Sequence, residues 1–169
     1  MKKTRIAAIV ALLLVLGACG NSDAEPTTVE VTAVDYGFEG LPETVAAGST
    51  FTLVNDSSVE LHELVAIRLP DDEKRSADDL VKLPPEELAG FFPLVETVII
   101  APPEAEGFAV EGVGTLTEPG RYLIICAIPT GANPDEYMAA AAAAEGGPPQ
   151  VAGGPPHLAM GMYGEITVR

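Results

Sequence analysis

The sequence predicts an all-β domain, a two-sheet sandwich carrying two helical insertions, and three observations support that class. Short segments rich in Val, Ile, Leu and Thr recur along the chain, the first of them in strict alternation with other residues. Gly, Pro, Asn and Asp separate these segments at short intervals, the punctuation of tight turns. The strand pattern then fails twice, over 70–93 and over 127–156, where helix-start signals and Pro/Gly runs replace it.

The elements follow in order. Val29, Val31 and Ala33 alternate with Glu30, Thr32 and Val34, the period of a half-buried strand. Ala47-Gly48 forms a turn before a β-branched strand over 50–54, which stops at Asn55-Asp56-Ser57-Ser58. A third strand runs from Leu61 to Leu69. In the first insertion Ser76 and Asp79 have capping-box spacing, and Pro84-Pro85-Glu86-Glu87 suits a second helix start. Strands resume over 96–100, 107–113 and 121–127, the last after a Glu118-Pro119-Gly120 turn. Six consecutive alanines at 139–144 place a helix over 134–145 on propensity alone. Residues 146–156 hold four Gly and four Pro and read as an irregular loop; 165–169 closes the domain as a strand.

At 169 residues the chain accommodates one domain with small appendages. Its 47% hydrophobic share is enough to build a core. With 25 acidic and 9 basic residues the net charge is −16, which argues against nucleic acid as a partner and against polybasic attachment to anionic lipid. Two cysteines are too few for a disulfide scaffold.

The N-terminus accounts for one of them. Lys2, Lys3 and Arg5 precede an uncharged apolar run from Ile6 to Leu16, too short for a permanent membrane span. It ends on Leu16-Gly17-Ala18-Cys19, which resembles the lipobox of bacterial lipoproteins. That resemblance implies a signal peptide over 1–18, acylation of Cys19 and anchoring to the lipid bilayer on the extracytoplasmic side of a bacterial envelope. The alternative is an ordinary secretory signal with an incidental cysteine. Acyl burial contributes about 0.8 kcal/mol per CH₂, so two chains anchor stably. Residues 19–28 are small and polar, a tether to a domain over 29–169. Without residues 1–18 the charge becomes −19.

Both histidines and the second cysteine lie at loop–strand junctions. His62 opens a strand after the Asn55 turn, Cys126 sits at a strand end, and His157 precedes Met162 just before the last strand. Singly, Cys126 reads as a buried core thiol, His62 as a strand residue, and Met160 and Met162 as packing. Together they make a soft, mixed nitrogen–sulfur donor set, and two histidines and a cysteine with a weak axial methionine are the blue-copper pattern. A Cys126/His157 nucleophilic pair requires an oxyanion arrangement and an orienting third group, to which nothing in the sequence points. No enzymatic activity is therefore expected.

The downstream block reads Gly120-x-Tyr122-x-x-x-Cys126, then His157, four residues, and Met162 in a Gly161-Met162-x-Gly164-x-x-x-Val168 frame. This resembles the cupredoxin family, plastocyanin-like proteins in particular. The resemblance implies an eight-stranded Greek-key sandwich with one mononuclear type 1 copper at one end, held by His62, Cys126, His157 and Met162, with Met160 as the fallback axial ligand. It implies single-electron transfer. A copper-delivery lipoprotein and a metal-free binding module remain as alternatives. The chain departs from the family in two ways. Thirty residues separate Cys126 from His157, against two to four in the family, and the helix and loop they contain are candidates for a lid beside the metal. Glu63 stands where the family usually has an Asn that links the ligand loops, so that usual link is expected to be missing, although a carboxylate there can orient a neighbouring group or raise cation affinity. The acidic runs at 71–73, 78–79 and 86–87 read as a solvated helical face, with docking of a basic redox protein such as a c-type cytochrome as the functional alternative.

Overall fold

The computed structural model describes residues 24–143 and 148–169. The predicted signal peptide, Cys19 and the first part of the tether lie outside the described residues, as do positions 144–147, the last two of the predicted Ala-rich helix and the first two of the predicted Pro/Gly loop. In chain order the strands are β1 (Thr28–Val34), β2 (Gly37–Glu39), β3 (Thr44–Val45), β4 (Ser49–Asn55), β5 (His62–Arg68), β6 (Val95–Ala101), β7 (Phe108–Glu111), β8 (Thr115–Leu116), β9 (Gly120–Ile125) and β10 (Tyr163–Val168). The helices are α1 (Ala77–Leu80), α2 (Pro85–Ala89) and α3 (Pro134–Ala143).

One sheet has the order β2-β1-β4-β8 and the other β3-β10-β9-β5-β6-β7. In the larger sheet β5, β6 and β7 lie side by side. The chain then crosses through β8 in the other sheet and returns as β9 on the far side of β5. The resulting order β9-β5-β6-β7 is a Greek key. The sandwich class and both helical insertions therefore appear as predicted. The count of ten strand segments exceeds eight because β2 and β3 are short pieces of three and two residues, too brief to register as periodicity.

The six-stranded sheet is covered on both faces. Leu64, Ala66, Tyr122, Ile124 and Cys126 pack into the core between the sheets with Val31, Phe51 and Leu53. The alternate residues Val65, Ile67, Leu123 and Ile125 pack outward against Ala77, Leu80 and Leu88 of the first insertion. Burial on both sides explains why 61–69 is a nearly continuous apolar run where β1 alternates. The first insertion is a cover for the sheet. Leu80 and Leu88 face inward, while Asp71, Asp72, Asp78, Asp79, Glu86 and Glu87 stay exposed, as a solvated face requires. Its first helix starts as the sequence predicts, with Ser76 Oγ accepting the backbone N–H of Asp79 at 3.2 Å.

Strand direction sets where function can sit. β9 is antiparallel to both of its neighbours, pairing Ile125 with Val65 on β5 and with Tyr163 on β10. The end of β9 therefore lies beside the beginnings of β5 and β10, which gathers His62, Cys126 and Met162 at one end of one sheet.

Candidate metal centre

His62 is the first residue of β5 and is presented by a loop wound around Asn55. The Asn55 Nδ2 group donates to the carbonyls of Glu60 (2.8 Å) and Ala101 (2.9 Å), and its Oδ1 accepts from Ser57 N–H. Ser57 Oγ in turn accepts from the Glu60 backbone at 3.0 Å. Asn55 is buried with all three partners in place, so the approach to His62 is fixed.

Cys126 follows β9 directly. Its backbone N–H donates to Met162 O (3.1 Å), its carbonyl accepts from Leu158 N–H (2.8 Å), and Met162 N–H donates to His157 O (3.0 Å). His157 opens a 3-10 turn, His157–Met160, that ends on Gly161 at φ 113°, a left-handed conformation suited to glycine. Gly161 of the Gly161-Met162-x-Gly164 frame thus has a local cause: the turn must reverse between the imidazole and Met162.

The thirty-residue insertion does not loosen this loop, because its two ends are tied together. His157 N–H donates to Ile128 O (2.9 Å), Thr130 N–H to Pro155 O (3.0 Å) and Gly154 N–H to Thr130 O (2.8 Å), and Pro129 bridges Pro156. Gly153 makes this neck possible, since a Cβ there would lie 2.5 Å from Pro129 Cβ. Chain length between ligands matters less than where the chain is clamped.

The side chains converge. His62 Nδ1 and His157 Nδ1 are 3.2 Å apart, and Cys126 Sγ is 3.3 Å from His157 Nδ1. One donor atom from each of the three lies within 4.8 Å of the other two, the one such cluster among the described residues. All three residues are fully buried. Met162 is fully buried too and packs in the same core cluster as Cys126, whereas Met160 is 51% exposed. The Tyr36 ring, from the β1–β2 turn, meets His157 edge-on at 5.2 Å. The sequence offered no signal for Tyr36.

Burial sets the protonation of these groups. His62 is pushed down to about 4, chiefly by desolvation and then by the neighbouring His157, against the pull of Asp35 and Glu60. Desolvation also lowers His157, with Glu60 opposing. Both imidazoles are therefore neutral near pH 7 and keep a lone pair for a metal. Burial first, and Glu63 second, hold the Cys126 thiol well above its ordinary range, while backbone N–H groups of Glu63 and Ile128 favour the thiolate. Both Nε2 atoms of the pair are buried without a hydrogen-bond partner. Two neutral imidazoles and a thiol, buried and converging through Nδ1, Nδ1 and Sγ, make a soft nitrogen–sulfur donor set that fits a copper ion.

Glu63 supplies a link of its own in place of the family's Asn. Its carboxylate accepts from Ala127 N–H (3.1 Å) and Tyr137 Oη–H (3.0 Å), and its own N–H donates to Cys126 Sγ (3.4 Å). One residue thus joins the His62 strand, the residue after Cys126 and helix α3. Burial raises this carboxyl to about 7, although both donors pull it down. The Ala-rich helix is likewise more than a product of propensity: Tyr137, fully buried, anchors it to the site. Sequence reasoning missed Tyr137 and the position of Glu60 beside His157; for Tyr137 the available signal was one aromatic residue in an otherwise featureless Ala helix.

No protein-family model matches the chain, and no curated protein matches it. Among solved structures it is similar to a Na-dithionite reduced auracyanin from the photosynthetic bacterium Roseiflexus castenholzii, at 20% identity over 86% of this chain and 98% of that one, with a TM-score of 0.49. It is similar to auracyanin A, a "blue" copper protein from the green thermophilic photosynthetic bacterium Chloroflexus aurantiacus, at 19% identity over 86% of this chain and 100% of that one, with a TM-score of 0.47. Auracyanin B gives 19% identity over 89% and 96%, with a TM-score of 0.46.

Proposed function

We propose that this chain is a mononuclear type 1 copper protein that carries single electrons on the extracytoplasmic side of a bacterial membrane, anchored there through an acylated Cys19. The observation that carries the reading is the buried meeting of His62 Nδ1, His157 Nδ1 and Cys126 Sγ, with separations of 3.2 and 3.3 Å. These three residues would hold the metal, with Met162 as the weak axial ligand. The burial of Met162 and the exposure of Met160 favour that choice. Bound copper supplies a one-electron Cu(II)/Cu(I) couple.

The rest is the work of the protein. Asn55, the neck at 128–130 and 154–157, and the Cys126–Met162 backbone pair hold the donors in place through tertiary hydrogen bonds, which limits how far they relax when charge changes. The Glu63 N–H stabilises negative charge on Sγ. Complete burial of the three donors excludes water and exogenous ligands. That burial supports electron carriage over copper delivery, since a delivering site must offer its ligands to a partner. The exposed carboxylates of the first insertion and a net charge of −19 without residues 1–18 favour a basic redox partner, with steering that weakens as salt rises.

The test is Cu(II) addition to the purified protein, followed by visible absorption and voltammetry. An intense visible thiolate-to-copper band and a reversible one-electron wave are expected, both lost in Cys126→Ala with the circular dichroism of the fold retained. A colourless protein that binds only Cu(I) would refute electron carriage in favour of storage or delivery.

A further inference from the structure

The His157 ring turns Nδ1 toward Cys126 and His62, so its Nε2 faces the opposite way, into the protein, where it is buried and lacks an aligned hydrogen-bond partner. The group waiting there is Glu60. Its Oε2 lies 3.4 Å from His157 Nε2, and its side chain is only 12% exposed. The same carboxylate accepts the Gly131 backbone N–H at 3.2 Å on Oε1 and 3.0 Å on Oε2. Glu60 is itself held from behind, its N–H by Ser57 Oγ and its carbonyl by Asn55 Nδ2. Three separate segments therefore meet at one carboxylate: the loop before His62, the start of the long insertion, and the turn that carries His157.

A side chain so fixed has a specific capability. Imidazole has two nitrogens, and whichever is hydrogen-bonded as a donor leaves the other free to ligate. We propose that Glu60 is a positioning residue for His157, accepting its Nε2–H so that Nδ1 is presented bare toward Cys126 and His62. The inference rests on the copper reading for its consequence but not for its geometry. A 0.3–0.5 Å approach converts the present 3.4 Å contact into an ordinary charge-assisted hydrogen bond. Through Gly131 the carboxylate also makes the insertion part of the ligand's support, which gives the thirty residues between Cys126 and His157 a role beyond bridging space.

Two measurements test this on the full chain, with Glu60→Gln and Glu60→Ala. The first needs no copper: ¹⁵N chemical shifts of the His157 ring in the metal-free protein. The wild type is expected to hold the Nε2–H tautomer in about tenfold or greater excess, the preference a hydrogen bond to a charged acceptor sustains, and Glu60→Ala to lose it. An unchanged tautomer ratio in Glu60→Ala, with the backbone spectrum intact, overturns the proposal. The second is the reduction potential of the copper-loaded protein. Loss of the carboxylate charge behind His157 is expected to weaken Cu(II) relative to Cu(I) about tenfold in Glu60→Gln, a rise of about 59 mV for a one-electron couple. A wild type that binds no copper defeats the copper reading and leaves the tautomer measurement to decide the role of Glu60. A blue Glu60→Gln protein with unchanged potential and unchanged tautomer defeats the role of Glu60 and leaves the copper reading standing.

Discussion

Replacing Glu63 by Gln perturbs the most deeply buried carboxyl among the described residues with almost no change of shape. Burial raises that carboxyl from 4.5 to about 7. The sign follows from linkage. A folded state that holds a proton more tightly than the unfolded chain gains stability from it below the unfolded value, and loses that stability as pH climbs through the folded one. At 1.36 kcal/mol per unit, the wild type gives up about 3 kcal/mol in all, of which about 2 falls between about pH 5 and about pH 8. Gln keeps an acceptor for Ala127 N–H or Tyr137 Oη–H but cannot ionise. Urea unfolding of the metal-free wild type and Glu63→Gln across that range measures the difference directly. His62 and His157 impose the opposite slope at the acid end, because their lowered values make them protonate on unfolding, but they do so in both proteins and cancel. The expected result is a stability advantage of Glu63→Gln that grows by about 2 kcal/mol toward alkaline pH. A difference that stays flat, or that shrinks as pH rises, refutes the account of Glu63 as a buried acid forced toward its neutral form.

Two further outcomes follow from the same structure. Because Cys126 is held as a thiol by burial while both imidazoles are neutral near pH 7, Cu(II) binding is expected to release about one proton, read by calorimetry in buffers of different ionisation enthalpy; no release contradicts the assignment of Cys126 as a thiolate ligand. Gly161→Ala places a side chain at φ 113° and is expected to destabilise the fold by about 1–3 kcal/mol, seen as a lowered Tm; an unchanged Tm contradicts the reading of that turn as glycine-dependent.

The proposed donor residues were legible because ligand chemistry restricts which side chains serve and strand order restricts where they fall. His62, Cys126 and Met162 sit at or beside strand ends that antiparallel pairing of β9 with β5 and β10 gathers, and the His157–Met160 turn just before β10 brings in His157. The surroundings of the donors were harder to see. The roles of Glu60, Glu63 and Tyr137 depend on contacts across 71, 64 and 74 positions of sequence, respectively, which no local pattern encodes. A spacing of thirty residues between Cys126 and His157 suggests a slack loop. The structure closes it with pairing at 128–130 and 154–157 that depends on Gly153 and on proline carbonyls, neither of which carries periodicity. β2, β3 and β8 escaped for a simpler reason: two or three residues cannot display a period.

X-ray absorption at the copper edge of the loaded protein tests the central claim most directly. The account predicts one short sulfur ligand and two imidazole nitrogens, with the sulfur contribution abolished in Cys126→Ala and one imidazole lost in each of His62→Ala and His157→Ala. A first coordination sphere made of oxygen, or one indifferent to Cys126, would contradict it.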